Sequence, residues 1–260
     1  MRPFFTVIIP THCRAQLLER SIDSLRSQTF RDFEIIVVSD CADQETSRVA
    51  ACKLSDLDVF IKRRGLPGPA ESRNYGLEIA SGDYVIFLDD DDTLAPAYLE
   101  TLYSECQNNR GEVLYCNFQV VSENRYTFPA TFIRDESCSL SSIPLSQLYV
   151  KNFIPNNVLA YPRMTLGKKR FDPHLKVNED WDFLLNIAED AELQYRDIYG
   201  ARIHKDEPSE QSRRGELNNN FLVVDYLYIF RKWPGRTEEI KLQRQQLMMK
   251  VGVPWPLEWL

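Results

Sequence analysis

Long hydrophobic runs are missing from this sequence. No stretch approaches the roughly 18 apolar residues that a membrane-spanning helix needs. The longest candidate, 221–230, is too short and is interrupted by Asp225. A secretory leader is not expected either, because the opening MRPFFTVIIPTHCR is apolar for only a few residues and has no small-residue cleavage site. The six cysteines, at 13, 41, 52, 106, 116 and 138, contain no CxxC pair. They read as reduced core or surface thiols of a cytoplasmic protein. Excess positive charge is also lacking: 31 Lys and Arg stand against 38 Asp and Glu, a net charge of −7. That argues against a general nucleic-acid binder, which carries a basic face. An anionic small molecule would have to be held locally, by basic side chains, a helix N-terminus or a metal. No internal repeat or linker divides the 260 residues, a length that suits one large α/β domain or two small ones.

What is present is an alternation of strand and helix. FFTVIIP (4–10), EIIVVS (34–39), DVFIKR (58–63) and YVIFL (84–88) read as strands. Helical spacing fills the intervals at 15–27, 44–53, 70–80 and 97–107. Continuous apolar strands between amphipathic helices predict a parallel sheet covered on both faces. Ligands of such sheets bind beyond the carboxyl ends of the strands. The first, second and fourth strands end at Pro10-Thr11-His12, Asp40 and Asp89 to Asp92, which should therefore share one edge. The second half is less regular. It offers a strand at 113–121, a short helix near 145–151, a helix at 179–188 and a strand at 195–204 ending on His204. Helices at 217–232 and 237–250 and the aromatic VPWPLEWL close the chain.

Several residue types in these places carry chemistry, and each also has a plain structural reading. Four consecutive carboxylates, Asp89 to Asp92, are either a solvated acidic turn or a cation site. Alternate side chains of an extended segment point the same way, so Asp89 and Asp91 can converge on one ion. Asp40 is a turn former or an acceptor for a nucleobase N–H. Arg73 falls in the first turns of a helix after the Gly/Pro loop GLPGP, a place that suits a diphosphate. Lys62, Arg63 and Arg64 read better as a solvated basic face. Glu179 and Asp180 open a helix, where acids are favoured by the dipole or where one of them serves as a general base. Asp182, two residues on, faces elsewhere. His204 is one of only three histidines, either a satisfied side chain or a metal or phosphate contact.

Taken in order, TVIIPTHCR, SQTFRDFEIIVVSD, PAESRNYGLEIASGDYVIFLDDDD, NEDWDFLL and ARIH resemble the family 2 inverting glycosyltransferases of GT-A fold. The resemblance is strong over residues 4–105 and patchier over 110–205. It implies a Rossmann-like, mostly parallel sheet flanked by helices. It implies a catalytic domain over 1–215, with a nucleotide-binding half (1–110) and an acceptor-binding half (111–215), followed by a helical C-terminal extension (216–260). It implies a nucleotide-sugar donor, most often a UDP-sugar, Mn²⁺ or Mg²⁺ as cofactor, and a glycan or lipid-linked acceptor in surface polysaccharide or glycan assembly.

Position by position, the resemblance places Pro10 and His12 in the nucleotide pocket and Asp40 on the base. Relatives commonly carry Asp-Asp-Gly-Ser where this chain has Ser39-Asp40-Cys41-Ala42. Arg73, Asp89 and Asp90 fall on the nucleotide sugar, Asp91 and His204 on the metal, Asp180 on the catalytic base and Glu179 on the acceptor. Two other readings stay open. A nucleotidyltransferase is disfavoured because THCRAQLLER, after the first strand, contains no glycine. A non-catalytic sugar-nucleotide-binding module is disfavoured because the Asp run and Asp180 are present. The extension is expected to pack on the catalytic domain or a second subunit, with peripheral contact to the inner face of a membrane as the alternative.

Overall fold

The strands are built from β-branched and aromatic residues, and they form the centre of the molecule. The computed structural model describes residues 2–207 and 216–256, with side chains left out over 216–221. Strands β1 (Phe5–Thr11), β2 (Phe33–Ser39), β3 (Val59–Lys62) and β4 (Tyr84–Phe87) alternate with helices α1 (Ala15–Arg26), α2 (Gln44–Lys53) and α3 (Pro69–Ile79). All four strands pair in parallel, in the order β3-β2-β1-β4. Every residue of β1 and β4 is buried, as expected of a strand with both faces covered. Helix α1 turns Leu18, Ile22 and Leu25 inward. Helix α3 starts with Pro69 at its first position, where the missing N–H costs no hydrogen bond.

Beyond β4 the sheet continues through the two strands expected near 113–121 and 195–204 and through three, at 93–94, 131–138 and 159–162, that the sequence pattern does not announce. Strand β5 (Thr93–Leu94) is followed by helix α4 (Tyr98–Asn108), β6 (Val113–Asn124), β7 (Thr131–Cys138), β8 (Leu159–Pro162) and the short α5 (Arg163–Leu166). Helix α6 (Glu179–Ala188) and β9 (Leu193–Asp206) complete the sheet. The order from β4 onward is β8-β6-β9-β5, with β7 pairing only to β6. Strand β8 runs antiparallel to both β4 and β6, so β6 and β9 point the same way as β1 to β4. The carboxyl ends of β1, β2, β4, β6 and β9 therefore share one edge.

The opposite end of the sheet is fastened by buried polar contacts. Glu34 accepts from the hydroxyl of Thr6 (2.6 Å), the Ser81 amide (2.8 Å) and the Ser81 hydroxyl (2.9 Å). Gly82 N–H donates to Thr6 Oγ1 at 2.9 Å. A Cβ at Gly82 would lie 2.6 Å from the Thr6 backbone nitrogen, so only glycine allows this approach.

Helices α7 (Glu216–Lys232) and α8 (Glu238–Lys250) follow. Tyr226, Ile229, Phe230 and Met248 join the main core. Most aromatics of 226–236 thus pack on the domain, the outcome favoured from sequence. The terminal 257–260 lie outside the described residues, as does the expected 215/216 boundary on its 208–215 side. Among the described residues no helix is long and apolar enough to cross a membrane.

Candidate active site

The Asp run alternates as its spacing requires. Asp89 and Asp91 keep 40% and 23% of their side-chain surface open, whereas Asp90 keeps 6%. Asp92 is buried. Asp90 accepts from Thr11 Oγ1 at 2.7 Å and from Arg14 at 3.1 Å. Burial pushes its carboxyl up to about 6, against the pull of Arg14 and Thr11. Asp92 is bonded by Asn157 Nδ2 and by the His204 amide at 2.8 Å. Burial, then the charges of Asp91 and Asp89, raise its pKa well above the usual range. The sequence places Asp90 on the nucleotide sugar. The structure instead turns it inward, where it ties β1 to the end of β4.

Asp91 faces cations. Arg125 Nη1 lies 3.0 Å from it and Arg14 Nη1 3.3 Å, and Arg20 donates to its backbone carbonyl at 2.6 Å. Glu123, near the end of β6, holds this group together. It accepts from Arg20 (2.7 Å) and Arg125 (2.7 Å) and meets His204 Nδ1 at 3.0 Å. Burial opposes its charge, but the hydrogen bonds from His204, Arg20 and Arg125 bring it down to about 2. His204 Nε2 meets the Thr93 hydroxyl at 2.9 Å. Arg14 and Arg125 also line a cleft of about 680 Å³ between the start of α1, α2 and the β6–β7 hairpin.

Arg73 connects the two acidic motifs. It is buried, and its guanidinium reaches Asp89 at 2.8 Å and Glu179 at 2.7 Å, residues 16 and 106 positions away in sequence. Burial works against its charge, yet Asp89, Glu179 and Asp180 together raise its pKa. It also lies over the Phe171 ring at 5.4 Å. Glu179 is buried and occupied by this pair, so its acceptor contact expected from sequence is not what the structure presents. Its neighbour Asp180 is only partly covered. Burial, then Glu179, push the Asp180 carboxyl up to about 7, against Arg73 and the Trp181 amide at 2.7 Å. Asn152 Nδ2 lies 3.4 Å from its other oxygen. Asp182 does face elsewhere: it is buried and bonded by Lys232 and Trp233, each at 2.8 Å.

At the end of β2, Asp40 is buried and fully engaged. It meets His12 Nδ1 at 2.6 Å and accepts from the Gly68 amide at 2.7 Å and Arg63 at 3.3 Å. Pro10 lies within β1 opposite Val38. Arg63 is not the solvated charge that its neighbours Lys62 and Arg64 are. Its side chain is fully buried, donating to Ser72, Glu71, Leu66 and Gly68, because it must satisfy the Gly/Pro loop from within. Cys13 has a φ of 50°, a conformation uncommon for a side-chain-bearing residue, and its amide donates to Cys41 Sγ at 2.9 Å. His12, Cys13 and Cys41 bring possible ligand atoms within 4.8 Å of one another. That thiol and imidazole set is unlike the oxygen set that Mg²⁺ or Mn²⁺ takes.

The edge thus gathers His12, Asp40, Arg73, Asp89, Asp91, Glu179 and His204 around one rim, with Asp180 beside Arg73. Sequence reasoning missed Arg14, Arg20, Glu123, Arg125 and Asn157. Arg14 stands directly after the strand-end residues, and a basic residue there was the available signal. Glu123 and Arg125 lie just past the expected strand end at 121.

A nine-stranded, mostly parallel sheet with acidic clusters at its carboxyl edge is the architecture of a GT-A glycosyltransferase. Residues 6–176 match the model of glycosyl transferase family 2, and the chain belongs to that family. It is 39% identical over 114 residues to a GalNAc(5)-diNAcBac-PP-undecaprenol beta-1,3-glucosyltransferase of Campylobacter jejuni, covering 43% of this chain and 37% of that one. It is 28% identical over 244 residues to the uncharacterized glycosyltransferase EpsJ of Bacillus subtilis, covering 92% of this chain and 64% of the other. The chain thus spans less than two thirds of either relative. Among solved structures, S. aureus TarS 1–349 in complex with UDP-GlcNAc matches with a TM-score of 0.63 at 22% identity, over 94% of this chain and 71% of that one. The mannosyltransferase PcManGT of Pyrobaculum calidifontis, in complex with GDP-Man and Mn²⁺, matches with 0.66 at 17%, over 97% and 74%. These likenesses agree on the fold.

Proposed function

We propose that this glycosyltransferase moves a sugar from a nucleotide diphosphate donor to an acceptor hydroxyl with inversion at the anomeric carbon, and that the reaction depends on a divalent cation. The observation that carries the reading is the division of labour among the carboxylates. Asp89 and Asp91 are open at the end of β4. Asp180 is a separate, partly covered carboxylate held near neutrality, on the far side of the Arg73 guanidinium. A general base works best with a pKa near the operating pH.

In this reading Asp89 and Asp91 would hold the cation, at the place where Arg14 and Arg125 now meet Asp91. His204, whose Nδ1 Glu123 holds, would join them through Nε2 only by giving up its bond to the Thr93 hydroxyl. When bound, the cation stabilises the negative charge of the departing diphosphate. Arg73, Arg14 and Arg125 add positive charge at the same rim. His12 receives the base at the end of β2, oriented by its bond to Asp40. Asp180 takes the acceptor proton, which lets the hydroxyl attack from the face opposite the leaving group. The first half of the chain, 1–110, supplies the donor contacts and 111–215 the acceptor side. The nucleotide sugars in the TarS and PcManGT complexes and the Mn²⁺ of the latter support the donor and cation. The lipid-linked substrate in the name of the Campylobacter relative supports a lipid-linked glycan as acceptor.

Thermal unfolding with UDP, GDP, CDP and dTDP, each with Mn²⁺, Mg²⁺ or EDTA, tests the donor and the cation. One nucleotide should raise the midpoint only with metal, and Asp91→Asn should lose that rise. A metal-independent rise in both proteins would overturn the cation role. Retention of configuration in the NMR spectrum of the released sugar would overturn inversion.

A further inference from the structure

Asp225 interrupts the longest apolar stretch of the sequence, and it is buried in helix α7. Its Oδ2 accepts three consecutive backbone N–H groups, those of Lys176 (3.0 Å), Val177 (2.8 Å) and Asn178 (3.1 Å). These are the residues that lead into α6, the helix that opens on Glu179 and Asp180. Asn178, at its N-cap, makes no capping bond of its own, so the N-cap N–H and the two before it are met from another element. Seven residues on, about two helical turns, Lys232 and then Trp233 bond Asp182 of α6. Between these two grips, Tyr226 and Phe230 pack edge-on against Trp181, with ring centroids at 5.4 and 6.0 Å. Residues 176–178, 181 and 182 are therefore all fixed by the C-terminal segment, and of the two residues between them Glu179 is held by Arg73 and Asp180 carries the chemistry.

From this geometry we infer that the C-terminal extension sets the position of Asp180, with Asp225 as its principal positioning residue. The inference rests on the reading of Asp180 as general base. A displacement of about 1 Å in a reacting group costs up to about 100-fold in rate, so the grip matters for the chemical step even though it touches no substrate. Donor contacts, on β1, β2, β4 and α3, do not involve it. The groups facing Asp180 are Glu179 on its own helix, Arg73 from α3, Asp89 from the end of β4, Asn152 and Tyr161.

The test uses the full chain and release of nucleoside diphosphate from a panel of UDP-sugars and GDP-mannose, with water as acceptor. Asp225→Asn should lower kcat about 10- to 100-fold, leave donor KM within about twofold, and displace the midpoint of the acid limb of the kcat profile. Lys232→Met should do the same to a smaller degree. Hydrogen exchange should rise over 176–188 and stay unchanged in β1 to β4. Wild-type kcat and pH midpoint in both variants, with exchange raised over 176–188, would overturn the proposal. So would loss of donor binding and global unfolding in both, which marks a purely structural role. Asp180→Asn, run beside them, separates the two ideas: if it keeps the wild-type rate, the base assignment itself fails.

Discussion

Asp180→Asn should make the protein more stable at pH 8 while removing its activity. In the folded chain the carboxyl titrates at about 7, against an ordinary 3.8. Below pH 3.8 folded and unfolded chains both hold the proton, and the group's contribution to stability is complete. Between there and pH 7 the unfolded chain releases the proton and the folded chain keeps it, so stability declines as pH rises. Above pH 7 the loss is constant. At about 1.4 kcal/mol per pH unit the upper bound is on the order of 4 kcal/mol. Because Asp180 keeps part of its surface open, screening by water reduces this to about 1–2 kcal/mol. Asparagine keeps the shape without the charge, so the variant's midpoint should exceed the wild type's by about 2–8 °C at pH 8. The gain should fade towards pH 4. Donor turnover should fall by about 10² to 10⁴. Scanning calorimetry at pH 4, 6 and 8 measures the first effect and nucleotide release the second. A variant that is less stable than wild type at pH 8, by an amount that does not change with pH, would refute the reasoning.

Arg73→Gln should leave Asp89 and Glu179 facing each other uncompensated and cost about 3–5 kcal/mol, the range for breaking a buried ion pair. Arg73→Lys should recover part of that loss. Urea denaturation measures both, and equal midpoints for Gln and wild type would disprove the bridge. Gly76→Ala would put a Cβ 2.5 Å from Ile8 Cγ2. It should cost about 1–3 kcal/mol despite alanine's higher helix propensity. Pairing it with Ile8→Val should restore some stability, and a stabilised single variant would show that α3 does not press on β1 at this point.

The first half was legible because its physics is local. Strands β1, β2 and β4, buried on both faces, leave continuous apolar runs, and α1 shows its buried stripe directly. The exposure of Asp89 and Asp91 against the burial of Asp90 and Asp92 matches an extended alternation, but it is set by a turn in which the Asp92 N–H donates to the Asp89 carbonyl at 3.1 Å. The second half was not legible for equally physical reasons. Strand β8 has four residues and ends on a proline, β5 has two, and β7 is almost entirely exposed, so none carries a periodic signal. Arg73 could be placed on its helix, but its partner Glu179 lies 106 residues away, and a contact of that span leaves no local pattern. Arg63 was misread because three adjacent basic residues look alike in sequence, while only one of them points under the Gly/Pro loop. Its burial depends on carbonyls that no spacing rule reveals.

The fastening at the far end of the sheet has a consequence for how such a chain can vary. Glu34, Thr6, Ser81 and Gly82 close the strands where no proposed ligand contact lies, and they use hydrogen bonds that do not involve the rim. Loops at the other end can then be lengthened, shortened or exchanged without loosening the frame. A scaffold sewn along one hem leaves the opposite border free to be recut, so grafting a rim loop from another member should alter which sugar is taken while leaving the unfolding midpoint largely where it was.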